Sequence, residues 1–154
     1  MKFIIIYPNN QCFFLTFAVF LTIFIIMDKF SLDQFNERKI VTQDMLNSNG
    51  TLFGGYVLSW MDLIGHRMAI HITKRTMFTA YADKIKFKKP AFLNDEIEIR
   101  GTIIELGAVK LVLQMEVVVN PDKECQKVVE GIFTFVELDN NMRPTRIHYP
   151  SHSD

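Results

Sequence analysis

The sequence predicts an α+β domain in which one long helix is enclosed by an antiparallel sheet. Three observations carry this expectation. Apolar residues cover most of the circumference of the segment from Phe53 to Thr73, the hydrophobic period then changes from 3.6 to 2, and alternating segments follow one another with turn residues between them. A chain of 154 residues is long enough for one ordinary core and short for two. The organisation expected is a hydrophobic segment over residues 1–27, a single domain over 28–145 and a flexible tail over 146–154.

The run Cys12 to Met27, CFFLTFAVFLTIFIIM, is uncharged and apolar. As a helix its length would be roughly 24 Å, a little short of a typical hydrocarbon core. A signal peptide fits poorly, because Lys2 is the lone early charge and no small-residue cleavage pattern follows. A membrane anchor needs only slightly more length. The reading favoured here places the biological start at Met27, which makes the protein cytoplasmic. If the upstream residues are real, the protein is membrane-tethered through 12–27.

Residues 28–39 are polar, with Phe30, Leu32 and Phe35 as isolated anchors, and a short first strand is expected near Arg38–Gln43. The helix runs from about Phe53 to Thr73, with Asn49 or Thr51 as cap candidates and Lys74 and Arg75 suited to its C-terminal end. One stripe on it is Val57, Met61, Ile64 and Met68; a second is Phe53, Tyr56, Trp60, Leu63 and Ile70. Four strands follow, within Met77–Phe87, Glu96–Glu105, Lys110–Val119 and Lys127–Leu138, separated by Pro90, Gly107 and the Asn120–Asp122 turn. The tail from Asn140 onward reads as frayed.

Lys plus Arg balances Asp plus Glu at 17 each, so bulk charge gives no case for nucleic acid or an anionic membrane surface. Cys12 and Cys125 lie far apart and outside any Cys/His cluster, which suggests neither a disulfide framework nor a metal site.

The informative stretch is Asn47 to Asp62, NSNGTLFGGYVLSWMD. It joins an Asn- and Gly-rich turn to a paired-glycine helix start and sets one carboxylate among Trp60, Met61, Leu63 and Ile64. Burying such a group is costly unless it is partnered or used. This string resembles the signature of hotdog-fold acyl-CoA thioesterases, N-x-x-G-x-x-F-G-G with an Asp seven residues later. F-K-K-P at Phe87–Pro90 and G-I-F-T-F-V at Gly131–Val136 resemble the family's later strands, and the similarity spans roughly residues 38–145. Two places depart from the family pattern. Gly107 is followed by Ala108, Val109 and Lys110 in place of a small or hydroxyl pair, and His66 stands where a small residue is more usual.

The resemblance implies a hotdog fold and hydrolysis of acyl-CoA to CoA and a carboxylic acid, with no cofactor and no metal. It also implies a homo-oligomer built on dimers that share their sites. The chemistry needs a base for water, a polarised carbonyl and a place for the oxyanion. Asp62 is suited to be the base, Asn47 to position water or carbonyl, and the amides of Gly54 or Gly55 at the helix start to meet the oxyanion. Eight residues of helix separate Gly54 from Asp62, roughly 12 Å. One carbonyl cannot touch both within one chain, so Asp62 must act on a thioester held by Asn47 and Gly55 of a second protomer.

Lys84, Lys86 and Lys88 form a local basic stripe that suits the CoA phosphates, or equally the protection of a sheet edge. Asn49 and Gly50 read as a turn. His66, one turn after Asp62, is expected on the helix surface or an interface; as a second role it would hydrogen-bond Asp62 and tune it. The competing functions are a hotdog hydratase or dehydratase, for which His66 is the candidate base, and an acyl-CoA-binding module without catalysis.

Overall fold

The computed structural model describes residues 2–6, 12–16 and 35–150, and the chain divides into two compact units, residues 1–31 and 32–154. In the first, β1 (Lys2–Ile6) and β2 (Cys12–Thr16) form an antiparallel pair, with Lys2 opposite Thr16 and Ile6 opposite Cys12. The first five residues of the apolar run are therefore strand, not helix. Isoleucine and phenylalanine favour paired strands as much as they favour burial. The remainder of the run, residues 17–27, lies outside the described residues. Among the described residues no helix is long and apolar enough to cross a membrane.

The second unit contains β3 (Glu37–Ile40), a 3-10 turn (Gln43–Met45), helix α1 (Gly54–Thr73), and strands β4 (Phe78–Phe87), β5 (Glu96–Leu106), β6 (Leu111–Val119), β7 (Gln126–Leu138) and β8 (Pro144–Thr145). The main sheet runs β3-β5-β6-β7-β4, with β8 on the end of β7, and every pairing is antiparallel. The helix and the four strands after it stand where the change of period placed them. The first strand ends earlier than expected. Val41 leaves the ladder to exchange hydrogen bonds with the 94–95 turn, its N–H donating to the Asp95 carbonyl at 3.0 Å and its carbonyl accepting from Asn94 at 2.8 Å.

The core lies between one face of α1 and one face of the sheet. Val57, Met61, Ile64, Met68 and Ile72 are buried against Ile97, Ile99, Leu113, Met115, Phe133 and Phe135. The second stripe of the helix is not enclosed within one chain: Phe53, Tyr56, Leu63 and Ile70 are 53%, 40%, 53% and 38% exposed. A single sheet covers only one side of a helix, so this half is left for something else to cover.

The helix start also differs from expectation. The cap position is Phe53, which supplies no side-chain hydrogen bond, while Asn49 and Thr51 bond to Asn47 instead. At the other end Lys74 adopts the left-handed conformation (φ 55°) and its N–H donates to the Ile70 carbonyl at 2.7 Å, which stops the helix. The tail is docked rather than frayed as far as it is described. Ile147 is 3% exposed and donates its N–H to the Ala108 carbonyl at 2.8 Å, and the Tyr149 hydroxyl donates to the Gly107 carbonyl at 2.9 Å. Burial, helped by the charge of Glu105, pushes the Tyr149 phenol up to about 12.

Arg38 ties β3 to the rest of the sheet. Its Nε donates to Glu98 at 3.0 Å and its Nη2 to Asp122 in the β6–β7 turn at 2.7 Å, while Arg100 bonds the other oxygen of Glu98. Burial works to raise the Glu98 pKa, but the hydrogen bonds and charges of Arg38 and Arg100 outweigh it and hold the carboxyl below its ordinary value of 4.5. A depressed carboxylate stabilises the fold above its unfolded pKa, and that contribution disappears as pH falls through the folded value. Glu98→Gln is therefore expected to lower stability at pH 7 by about 1–3 kcal/mol. In paired urea titrations of variant and parent, the gap should close as the pH is taken below the carboxyl's folded pKa.

Candidate active site

Asn47 organises the approach to the helix. Its Oδ1 accepts from the N–H of Asn49 at 2.9 Å and of Thr51 at 3.3 Å, and its Nδ2 donates to Thr51 Oγ1 at 3.0 Å. Its backbone N–H and carbonyl bond to the Thr51 carbonyl at 2.8 Å and the Gly50 N–H at 3.0 Å. Gly50 takes φ 73°, which closes the turn at little steric cost. The chain then returns beside itself, Leu46 bridging Leu52, and Leu52 N–H donates to the Ala91 carbonyl at 2.8 Å. Asn47 and the Asn49-Gly50 pair thus do form a turn, and the Asn47 side chain is its hub.

Phe53 N–H donates to the Met45 carbonyl at 2.9 Å, which fixes the angle at which the helix begins. Tyr56 N–H reaches back to the Phe53 carbonyl at 3.1 Å, and among the described residues the intervening amides, of Gly54 and Gly55, have no backbone or capping partner. A side chain at either position would have to displace a phenylalanine ring. A Cβ on Gly54 would stand 3.0 Å from the Phe87 ring, and one on Gly55 would stand 2.3 Å from the Phe53 ring. Beside this helix start is a cleft of about 410 Å³ whose wall includes Asn47, Thr51, Gly54, Val57, Phe87 and Val129. Unbonded amides at the positive end of a helix dipole can receive an anion or a developing oxyanion.

Asp62 lies two turns further along, half-buried, on the side of α1 that faces β4, and it accepts a 2.7 Å hydrogen bond from Thr79 Oγ1. That bond uses one lone pair of Oδ1 and leaves Oδ2 for a water. His66 does not take the second role raised for it, a hydrogen bond to Asp62. Its Nε2 sits 2.8 Å from the Met77 carbonyl and its ring stacks on Phe135 at 6.5 Å between centroids. A ring nitrogen that faces a carbonyl is the donor, so His66 pins the helix to the entry of β4.

The basic stripe is divided where β4 ends at Phe87; within the strand Lys84 takes φ 51° in the irregularity between Asp83 and Lys86. Lys84 and Lys86 border a cleft of about 190 Å³ with Gln114 and Glu130 on the sheet face away from the helix. Lys88 lies at the helix-start cleft instead, paired with Glu130 at 2.9 Å. Among the described residues no cluster of three or more His, Cys, Asp or Glu is placed to hold a metal ion. The structure thus gathers Asn47, Gly54, Gly55 and Lys88 at one end of the helix and holds Asp62 apart from them.

Sequence reading missed Thr79 and Phe87. Thr79 is 17 positions from its partner Asp62, and no local pattern joins the two. In the sequence Phe87 is one apolar member of an alternating strand and the first residue of the F-K-K-P string, whereas in the structure it is 57% exposed and its ring lies against Gly54.

A long helix against one face of an antiparallel sheet, with a glycine pair at its start and a carboxylate two turns on, defines the hotdog thioesterase class. Residues 49–126 match the thioesterase superfamily, and the chain belongs to that family. It is 32% identical over 106 residues to a Haemophilus influenzae protein described as an uncharacterized acyl-CoA thioester hydrolase, covering 66% of this chain and 69% of that protein. Among solved structures it resembles a mutant form of HI0827, a hexameric broad-specificity acyl-coenzyme A thioesterase. The TM-score is 0.67 and the identity 29%, over 76% of this chain and 86% of that one. A hexameric thioesterase from Yersinia pestis gives a TM-score of 0.66 at 28% identity, over 75% of this chain and 93% of that one.

Asn47→Ala removes the acceptor for two loop amides and is expected to cost about 1–3 kcal/mol of stability. Thermal unfolding checks this, and hydrogen exchange should show the loss of protection confined to the Asn49 and Thr51 amides.

Proposed function

We propose that this chain hydrolyses acyl-CoA thioesters to free CoA and a carboxylic acid, at sites shared between two protomers. The observation that carries the shared site is the placement of groups along β4. Thr79, which holds Asp62, is near one end of the strand, and Phe87, which covers Gly54, is at the other. β4 is an edge strand, bonded to β7 alone, and it is exposed along almost its whole length, with Tyr81 65% exposed. Antiparallel pairing of two such edges about a two-fold axis sets Asp62 of one chain opposite the Gly54 and Gly55 amides of the other, twice per dimer. The relatives named above as hexamers are consistent with assemblies built from such pairs.

In this reading Asp62 accepts a proton from water as its oxygen attacks the thioester carbonyl. The carbonyl electrons move onto oxygen, where the Gly54 and Gly55 amides of the partner stabilise them. Collapse expels the CoA thiolate, and the proton held on Asp62 passes to the departing sulfur. Thr79 orients the carboxylate, and Asn47 offers its second Nδ2 proton to the carbonyl or water. The CoA phosphates fall to Lys84 and Lys86, which have no carboxylate partner among the described residues, whereas Lys88 is neutralised by Glu130. A hydratase relying on His66 fits less well, since the imidazole is engaged with the Met77 carbonyl.

Asp62→Ala should lower kcat for thiol release by about 10²- to 10⁴-fold while leaving the oligomer intact by size. Mixing it with Gly55→Val restores one complete site per mixed dimer, so co-expressed chains should recover up to half of the parental turnover. No recovery in intact mixed oligomers would mean that each chain works alone. For the phosphate assignment, the Lys84→Ala, Lys86→Ala double variant should raise KM for acyl-CoA with little change in kcat. It should leave kinetics on an acyl-pantetheine without phosphates unaltered; equal effects on both substrates would remove the assignment.

A further inference from the structure

We propose that the cleft at the helix start receives the acyl group, and that the Phe87 ring excludes branching next to the carbonyl, so that the preferred substrates are straight-chain acyl thioesters. This rests on the thioesterase reading and adds to it the shape of the acid released.

With the carbonyl oxygen on the Gly54 and Gly55 amides and water arriving from the partner's carboxylate, either the acyl chain or the sulfur arm must enter the cleft. Its floor decides between them. Leu52, Val57, Ala91 and Val129 give it a buried hydrocarbon floor, while Asn47, Thr51, Lys88 and Lys89 supply the polar part of its lining. Lys88 pairs with Glu130 at 2.9 Å, and Lys89 gives one hydrogen bond to Gln126 at 2.9 Å. A pantetheine arm carries two amides, which would find no hydrogen-bond partner against that floor. An alkyl chain loses nothing polar, and a volume of about 410 Å³ is ample for one.

Phe87 acts at the entrance. Its ring carbons lie 3.0 Å from where a Cβ of Gly54 would be, directly over the amide end of the helix. The first atoms of the acyl chain beyond the carbonyl therefore pass beneath the ring, and an α-branch collides with it. In the single chain Phe87 is 57% exposed, so its removal does not cut into the protomer's core.

The test compares butyryl-CoA with 2-methylbutyryl-CoA and benzoyl-CoA. In Phe87→Ala the ratio of kcat/KM for the branched and aromatic esters to that for butyryl-CoA should rise on the order of 10-fold, and in Phe87→Trp it should fall. Ratios unchanged in both variants overturn the proposal. A parallel measurement uses the non-hydrolysable thioethers S-butyl-CoA and S-(2-methylbutyl)-CoA, with affinities determined by calorimetry. Phe87→Ala should narrow the preference for the straight chain, and a preference identical to that of the parent also overturns the proposal. The thioethers report on the cleft whether or not turnover occurs. Failure of the parent to release thiol from any acyl-CoA would therefore count against the thioesterase reading alone.

Discussion

The close approach of the helix to the sheet is the constraint from which the rest of the molecule follows. Two glycines permit it. A Cβ at Gly65 would come within 3.0 Å of Phe135, and one at Gly101 within 2.4 Å of Met68. One lies on the helix and one on a strand, so the helix backbone settles close onto the sheet and methionines fill the irregular space that remains. This depth brings Asp62 within reach of Thr79, and it lays the Phe87 ring on Gly54 at the other end. A helix held further out would lose both contacts together.

A single chain satisfies that constraint on one side only. The half of the helix away from the sheet carries Phe53, Tyr56, Leu63 and Ile70, and the edge strand β4 offers unpaired backbone together with Phe78 and Tyr81. Exposed apolar residues along a helix and on a sheet edge are liabilities in an isolated protein, and the charges and bulges of β4 offset them only in part. They are coherent features if further copies cover them. The same exposure bears both on assembly and on the proposed placing of Asp62 beside a partner's helix start.

The sequence was most legible where one physical signal dominated. The switch of period at Thr73 and the alternation of Leu111, Leu113, Met115 and Val117 located the helix and the central strands, because burial on one face leaves a regular trace. The motif from Asn47 to Asp62 named the residues that gather at the helix start. What remained hidden depends on contacts between distant segments. Thr79 on Asp62, His66 on the Met77 carbonyl, Tyr149 on Gly107 and Arg38 on Asp122 each join positions whose proximity only the fold creates. The division of the lysine stripe was invisible for a different reason. Alternation assumes that the strand continues, but β4 ends at Phe87, so Lys84 and Lys86 border one cleft while Lys88, beyond the strand, lies at another.

Asn47 shows why a structural role and a functional one need not compete. A carboxamide has two acceptor lone pairs and two N–H groups. Asn47 uses Oδ1 for the amides of Asn49 and Thr51 and one N–H for Thr51 Oγ1, which fixes the plane and direction of the group. Among the described residues the second N–H has no partner, and Asn47 lines the same cleft as Gly54. A donor whose orientation is set by its other three bonds loses little freedom on meeting a ligand, which is the preorganisation an oxyanion site requires. An aspartate could accept the loop amides as well but would offer no proton and would repel a developing negative charge. A turn built only for shape could use either residue, whereas a turn that also has to face a carbonyl oxygen needs the amide.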